Sequence, residues 1–573
     1  MSRRGVVAAA AAVALVSVYV VARQPLRAPW WLYADPDATY TASSLNLLMR
    51  DGHSRYFSHP GVPQQEALAL TFGAQHLLDR MDGGPPTTKA YVDERLSDLD
   101  TARSVFRGWA IVFFVGGALL VFALTARLLG LWWGILAGVL WIAAPDFATG
   151  AIQIRPDVVL SALSFAAVFL VVRGAQRRDA PAYFGAAALI GFAVTVKLHA
   201  VGLLPALVLA VLVRPPPRGW ADDARDRASM FVYRHWRVLA AAIAGWVLLV
   251  LVLNWHEFPF EARGAEQRAV CVPIVIVALW FAVAGAVSRR RGWRAADSFY
   301  PWLAAALLAG IALPLSLFLP DGFRAAAEIW AGLTGGQAQE GVPLFTFEWN
   351  QFYGFPLREA ALLFAFAGIG ALVGLRMRTL TPFLWFLAAA VMGVMGAARL
   401  GALRYFEPAY VLSIPPALWL FARSRATFAP VAAALLVGLV VLPSLRHADL
   451  PARQAERDEA YSESALATAA KLLGGTDVAL APDYAPLADV RYWGEVQNFV
   501  EYTPTHSYTF LPDYAPALAT ATTQGKQVRF YFGPAAVGLS GPGDLRLASG
   551  TFSAEPVPEA ATPQFGVARI SAP

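Results

Sequence analysis

Apolar runs succeed one another along almost the whole of this chain, separated by short connections rich in arginine, and that alternation leaves few folds open. After a first run from Val6 to Val21, apolar stretches recur at Trp109–Leu124, Leu131–Ala144, Val158–Val172, Tyr183–Val196, Val201–Val213, Val238–Leu253, Val270–Val287, Phe299–Leu319, Ala360–Leu375, Pro382–Ala398, Tyr410–Phe421 and Phe428–Leu442. A bilayer core asks for about twenty apolar residues of helix per crossing, so the runs amount to about thirteen spans. Several fall short of that length and are expected to be short, tilted or broken helices, which a membrane tolerates where they border a polar cavity. The fold class that follows is mainly α: a polytopic membrane helix bundle, with a small α/β domain after it.

Composition agrees and removes other classes. With 57% hydrophobic and 15% charged residues, the 573-residue chain is too apolar for an ordinary soluble protein. Its net charge of +6 sits in the connections between runs, where it reports topology and not nucleic-acid binding. The single cysteine, Cys271, rules out an intrachain disulfide and a thiol metal cluster. The absence of a Walker loop, a dinucleotide fingerprint and zinc-binding spacing argues against ATP-driven transport by this chain.

Assigning alternate connections to the two sides splits the charge consistently. One side collects Arg127, Arg173, Arg177, Arg178, the stretch Arg214–Arg237, Arg289–Arg291, Arg294, Arg376, Arg378, Arg423 and Arg425. By the positive-inside rule this is the cytoplasmic face. The other face receives a long polar loop over 27–107, the connection at Arg155, the turn at Lys197–His199, the loop Asn254–Arg268, a second long loop over 320–359, the connection Arg399–Tyr410 and the C-terminal tail. The run Val6–Val21 is read as a retained first helix, which leaves the first long loop outside. Residues 1–445 then form the membrane domain and 446–573 an extracytoplasmic α/β domain. Patterning in that domain predicts a helix over Asp458–Leu473 and strands at Asp477–Leu480, Gln527–Phe532, Leu545–Ala548 and Phe565–Ile570.

Polar residues of chemical interest concentrate on the outer face. In the first loop, Asp35-Pro36-Asp37 puts two carboxylates around a proline that starts or kinks a helix, so each acid is a candidate for chemistry as well as for capping. His59-Pro60-Gly61 is a rigid turn able to order that loop, and the helical patterns flanking it include Gln65–Leu78. Arg155-Pro156-Asp157 stands at a helix start, where Arg155 offers a planar fork of donors to a phosphate. Lys197 and His199 occupy a turn between two runs short enough to place ionisable groups at hydrocarbon depth, where they normally face a cavity. Arg404 and Tyr405 repeat the theme of a cation beside an aromatic at a helix mouth, and Glu348, Asn350 and Tyr353 of the second long loop are candidates for an acceptor groove. An outer acid pair facing several cations suits a reaction at a lipid-linked phosphate.

These residues also carry a resemblance. Pro36-Asp37 with Thr39-Tyr40, Arg55-Tyr56-Phe57-Ser58-His59-Pro60-Gly61, Arg155-Pro156-Asp157, Lys197, and Arg404-Tyr405 with Pro408 resemble the C-type (GT-C fold) membrane glycosyltransferases, among them the protein O-mannosyltransferases, the lipid A aminoarabinose transferase and the rhizobial lipopolysaccharide sugar transferases. The resemblance covers the membrane portion. It implies a sugar donor carried on a polyprenyl phosphate, an inverting transfer in the outer compartment of a bacterial plasma membrane, and a first-loop aspartate acting on the acceptor. Asp37 matches that aspartate and Asp35 is second choice. Many members carry Asp-Glu there, whereas Ala38 follows Asp37 in this chain, which leaves a divalent metal cofactor open. Lys197, Arg404, Arg155, His199 and Tyr405 fall to the donor phosphate. The acceptor is a glycan, lipid or protein, the remaining partners are membrane lipids, and no nucleic acid is implied. Two other classes stay in view: a flippase or transporter for a lipid-linked saccharide, and a non-catalytic glycan-binding membrane protein.

Overall fold

The computed structural model describes residues 3–23, most of 40–48, 61–97, 99–144, 156–217, 299–316, 357–399, 406–424, 427–442, 477–480, 509–511, 527–533, 536, 539–547, 550–558 and 566–571. Asp35, Asp37, His59, Pro60, Arg155, Arg404, Tyr405, Glu348, Asn350 and Tyr353 lie outside these, as do the apolar runs at 238–253 and 270–287, Cys271 and the helix expected over 458–473.

The described helices are α1 (Arg3–Ala22), α2 (Val62–Met81), α3 (Thr88–Ser97), α4 (Leu99–Leu129), α5 (Leu131–Ile142), α6 (Pro156–Arg177), α7 (Ala180–Val196), α8 (Leu204–Val213), α9 (Phe299–Leu315), α10 (Leu357–Arg376), α11 (Leu380–Arg399), α12 (Glu407–Arg423) and α13 (Ala429–Leu442). A 3-10 turn, Leu198–Leu203, joins α7 to α8. Among the described residues three stretches are long and apolar enough to cross a membrane, Arg4–Ala22, Val105–Leu129 and Pro156–Arg177. Among the described residues the other apolar helices are shorter, as the run lengths predict. The architecture is a polytopic membrane helix bundle carrying a small C-terminal sheet.

The chain divides into two compact units. The first comprises 1–24, 57–67 and 108–448; the second comprises 25–56, 68–107 and 449–573.

In the first unit small residues set the packing. Lipid tails are as apolar as leucine, so helices in a membrane associate through close van der Waals contact and not by escape from water. Gly191 of α7 and Gly310 of α9 make that contact reciprocal. A Cβ at Gly191 would lie 2.0 Å from the Leu307 carbonyl oxygen, and one at Gly310 would lie 2.0 Å from that of Ala188. In the α4–α5 hairpin the Trp141 indole lies against Gly117 and donates its Nε1–H to the Phe114 carbonyl at 3.1 Å. On α12 the Tyr410 hydroxyl donates to the Leu140 carbonyl at 3.3 Å, fixing α12 to α5.

The α6–α7 and α10–α11 hairpins end their first helix with the same cap. Asp179 N–H donates back to the Gly174 carbonyl at 3.1 Å, and Thr379 N–H to that of Gly374 at 2.8 Å, the six-to-one bond of a Schellman motif. The left-handed residue is Arg178 in one (φ 53°) and Arg378 in the other (φ 55°), where glycine would be unstrained.

In the second unit, the part of α2 from residue 68 onward pairs with α3, where Arg95 bridges Asp79 at 2.9 Å and lies over the Tyr91 ring. The six-stranded sheet has order β2-β1-β3-β6-β5-β4, from Asp477–Leu480 (β1), Thr509–Leu511 (β2), Gln527–Gly533 (β3), Gly543–Leu547 (β4), Gly550–Pro556 (β5) and Gly566–Ser571 (β6). The first three strands pair parallel and the rest antiparallel. All four expected strands are present, within two residues of the predicted ends. The sequence reading omitted β2, three residues long and so too short for alternation to register, and β5, whose Phe552 and Ala554 are buried while Thr551, Ser553 and Glu555 are exposed.

Candidate active site

Lys197 ends α7. Its own N–H still donates to the Ala193 carbonyl at 2.9 Å, but at φ −163° and ψ 134° its backbone is extended and the helix stops there. Pro205 in the first turn of α8 suits a fresh helix start, so α7, the 3-10 turn and α8 form a broken helix. A break frees carbonyls at the end of α7. One of them, Val196 O, accepts the Gly61 N–H at 2.9 Å.

That bond brings Gly61 to the break. Gly61 adopts φ 38°, a region costly to a residue with a Cβ, and its carbonyl accepts the N–H groups of Gln64 and Gln65 at 3.0 and 3.1 Å to begin α2. The first turn of α2 therefore stands beside the Lys197 turn, with Gln64, Gln65 and Glu66 all buried. Among the described residues the Gln64 side-chain amide has no hydrogen-bond partner at either end. Burial pushes the Glu66 carboxyl well above the usual carboxylate range.

Inside the break Lys197 donates to Asp157 Oδ1 at 2.5 Å, with side-chain exposures of 6% and 3%. His199, two residues on, is also buried. Asp157 lies in the first turn of α6, where a carboxylate is favoured by the helix dipole, and on its face Ser161 and Ser164 follow at one-turn spacing, both buried. The 3-10 turn rests on α11, where a Cβ at Gly202 would meet the Met392 and Met395 sulfurs at 3.0 and 2.9 Å.

Of the expected site residues, Gly61, Lys197 and His199 fall within the described residues, and they gather around one broken helix. Sequence reading named Asp157 only as a helix-start device. Its partnership with Lys197 spans forty positions and leaves no local trace. The clue was that two opposite charges each sit at the mouth of a hydrocarbon-depth helix, where an unpaired charge is costly. Gln64 and Glu66 were missed because the patterning of α2 marks them merely as polar.

The site lies at the opposite end of its helices from the arginines. At 1.5 Å per residue the 22-residue α6 is about 33 Å long, a bilayer's thickness, with Asp157 at its start and Arg177 at its end. Among the described residues no group of three or more histidine, cysteine or carboxylate side chains stands close enough to hold a metal ion. The one carboxylate described in the break, Asp157, is engaged by an ammonium.

Residues 100–224, from α4 through α8 and including Asp157, Lys197 and His199, match the model of the dolichyl-phosphate-mannose-protein mannosyltransferase family. Among curated proteins none matches the chain. By shape the chain is similar to the archaeal oligosaccharyltransferase AglB from Archaeoglobus fulgidus in complex with an inhibitory peptide and a dolichol-phosphate, at 14% identity and a TM-score of 0.47, covering 92% of this chain and 69% of that one. It is also similar to ArnT from Cupriavidus metallidurans bound to undecaprenyl phosphate, at 16% identity and a TM-score of 0.30, covering 99% and 98%. The match over 100–224 supports the resemblance to the C-type membrane glycosyltransferases that the sequence motifs carry.

Proposed function

We propose that this protein is an inverting glycosyltransferase that moves a sugar from a polyprenyl phosphate to an acceptor hydroxyl at the outer face of a bacterial plasma membrane. One observation carries the reading: a lysine at the break of a helix, buried and held in place by Asp157, within the segment that matches the mannosyltransferase family. A phosphate leaving group needs its developing charge stabilised more than it needs a proton. An ammonium fixed in advance by a carboxylate costs no reorganisation when that charge appears. Lys197 donates to Asp157, and Arg404, Arg155, His199 and Tyr405 are the further groups assigned to the phosphate.

In the transfer the acceptor oxygen attacks the anomeric carbon from the face opposite the phosphate. The bond from that carbon to the phosphate oxygen breaks, and its electron pair leaves on the phosphate. The acceptor proton passes to a first-loop carboxylate, Asp37, with Asp35 the alternative. Gly61, later in the same stretch of sequence, donates its N–H to Val196 beside the Lys197 turn. Glu348, Asn350 and Tyr353 are assigned to the acceptor, whether glycan, lipid or protein, and the small C-terminal domain shares their side of the membrane.

The test is release or transfer of labelled sugar from a panel of polyprenyl-phosphate donors by the purified protein in lipid. The wild type should transfer and Asp37→Asn should not. Full activity in folded Asp37→Asn and Asp35→Asn would sink the reading, and movement of intact donor across the bilayer without bond cleavage would replace it with a flippase.

A further inference from the structure

A second polar site lies at the arginine-bearing end of the first unit, away from the Lys197 turn. The ends of α4, α6 and α12 meet the start of α11 there around an open cavity whose polar lining is Gln176, Thr379, Thr381, Trp385 and Arg423. The space open to the centres of water-sized molecules is about 60 Å³. A single water needs roughly 10–15 Å³ on that measure, so the cavity takes about four waters or one phosphate group, and not a whole lipid.

Its charge is one-sided. Trp385 is 1% exposed and forms part of the wall. Gln176 Nε2 donates to Thr381 Oγ1 at 2.9 Å, which occupies the hydroxyl as an acceptor and leaves its own proton for a third group. Arg423 adds a guanidinium from the last turn of α12, and none of the described residues lining the cavity is acidic. Beside it, Arg378 precedes Thr379 in the left-handed conformation that glycine favours, keeping a cation where backbone preference would not put one. Exposed Leu372 and Leu375 on the last turns of α10, and Met377 just after it, offer apolar surface shortly before Thr379 of the lining.

We propose that this cavity binds the phosphate of an anionic phospholipid of the leaflet opposite the Lys197 turn, with the acyl chains outside it along α10. The donor set suits a phosphate, and the apolar flank, on a helix end at the membrane surface, favours a lipid over a free ion. The function proposed above plays no part in this assignment.

The test is native mass spectrometry of the full chain in detergent, titrated with dioleoylphosphatidylglycerol, with dioleoylglycerol, and with inorganic phosphate as competitor. Phosphatidylglycerol should bind at least about tenfold more tightly than diacylglycerol, because the phosphate supplies the charge-assisted bonds. Arg423→Gln, at an exposed position, should weaken phosphatidylglycerol severalfold and leave diacylglycerol unchanged. Equal retention of the two lipids, or wild-type retention of phosphatidylglycerol by Arg423→Gln, would overturn the proposal. Displacement of the lipid by micromolar phosphate would overturn the lipid assignment and make the site one for a soluble phosphate.

Discussion

Replacing Asp157 by leucine should show how the lysine of the candidate site is maintained. At 2.5 Å and an effective dielectric of about 20, the gross attraction between Asp157 and Lys197 is about 7 kcal/mol. Removing both charges from water costs several kcal/mol each, so the pair as a whole adds little to stability. Removing one partner is different, because the other charge then stays buried at 6% exposure without its counter-ion. Asp157→Leu alone should therefore destabilise the protein by about 3–5 kcal/mol, while Asp157→Leu with Lys197→Met should lie within about 1 kcal/mol of wild type. Unfolding by SDS in mixed micelles, followed by tryptophan fluorescence, reads both variants, and sugar transfer is measured on the same samples. The double variant should fold and fail to transfer, which separates structure from chemistry. A single substitution no more damaging than the double, or a double variant with wild-type transfer, would refute the reasoning.

Further predictions rest on other contacts. The Glu66 carboxyl is raised by burial, so the folded protein keeps a proton that the unfolded chain releases above about pH 4.3. Stability should then fall as pH rises from that value through the folded one, and Glu66→Gln should flatten the dependence in thermal unfolding between about pH 5 and about pH 8; identical slopes would refute this. Gly191→Ala puts a Cβ 2.0 Å from the Leu307 carbonyl oxygen and forces α7 away from α9. Its cost should be at least about 1–3 kcal/mol in the same SDS assay, and a variant as stable as wild type would remove that contact from the account. Arg378→Gly relieves a left-handed residue and should stabilise the protein by about 1 kcal/mol, visible as a raised unfolding midpoint.

Much of the fold is legible in the sequence because its cause is local. The apolar run from Val158 to Val172 became α6, extended by Pro156 at its start and by the Schellman cap at Arg178. The run from Tyr183 and the run from Val201 became α7 and α8, and their shortness anticipated the broken helix that Lys197 terminates. Arginines assigned by charge alone to one side, at 177, 376 and 423, end α6, α10 and α12, and three of those helix ends or their neighbours line one cavity. Periodicity, length and charge at the water boundary are each set within a few residues, so inspection recovers them.

What the sequence left undecided depends on distance along the chain. Lys197 could be read as a cation at a helix mouth, but nothing near it named Asp157, forty residues earlier, as the carboxylate that holds it. Gly61 could be read as a turn glycine, but its N–H donating to Val196 belongs to the packed loop. Likewise Gly191 and Gly310 are small residues in apolar runs until α7 and α9 meet backbone to backbone, and Trp385 is a bundle aromatic until a cavity opens at the helix ends. By itself the sequence determined the described helices and their order, since the bilayer acts as a solvent on each segment separately. The tertiary structure alone decided which charge meets which, because partnership at hydrocarbon depth is fixed by the packing of helices remote in sequence.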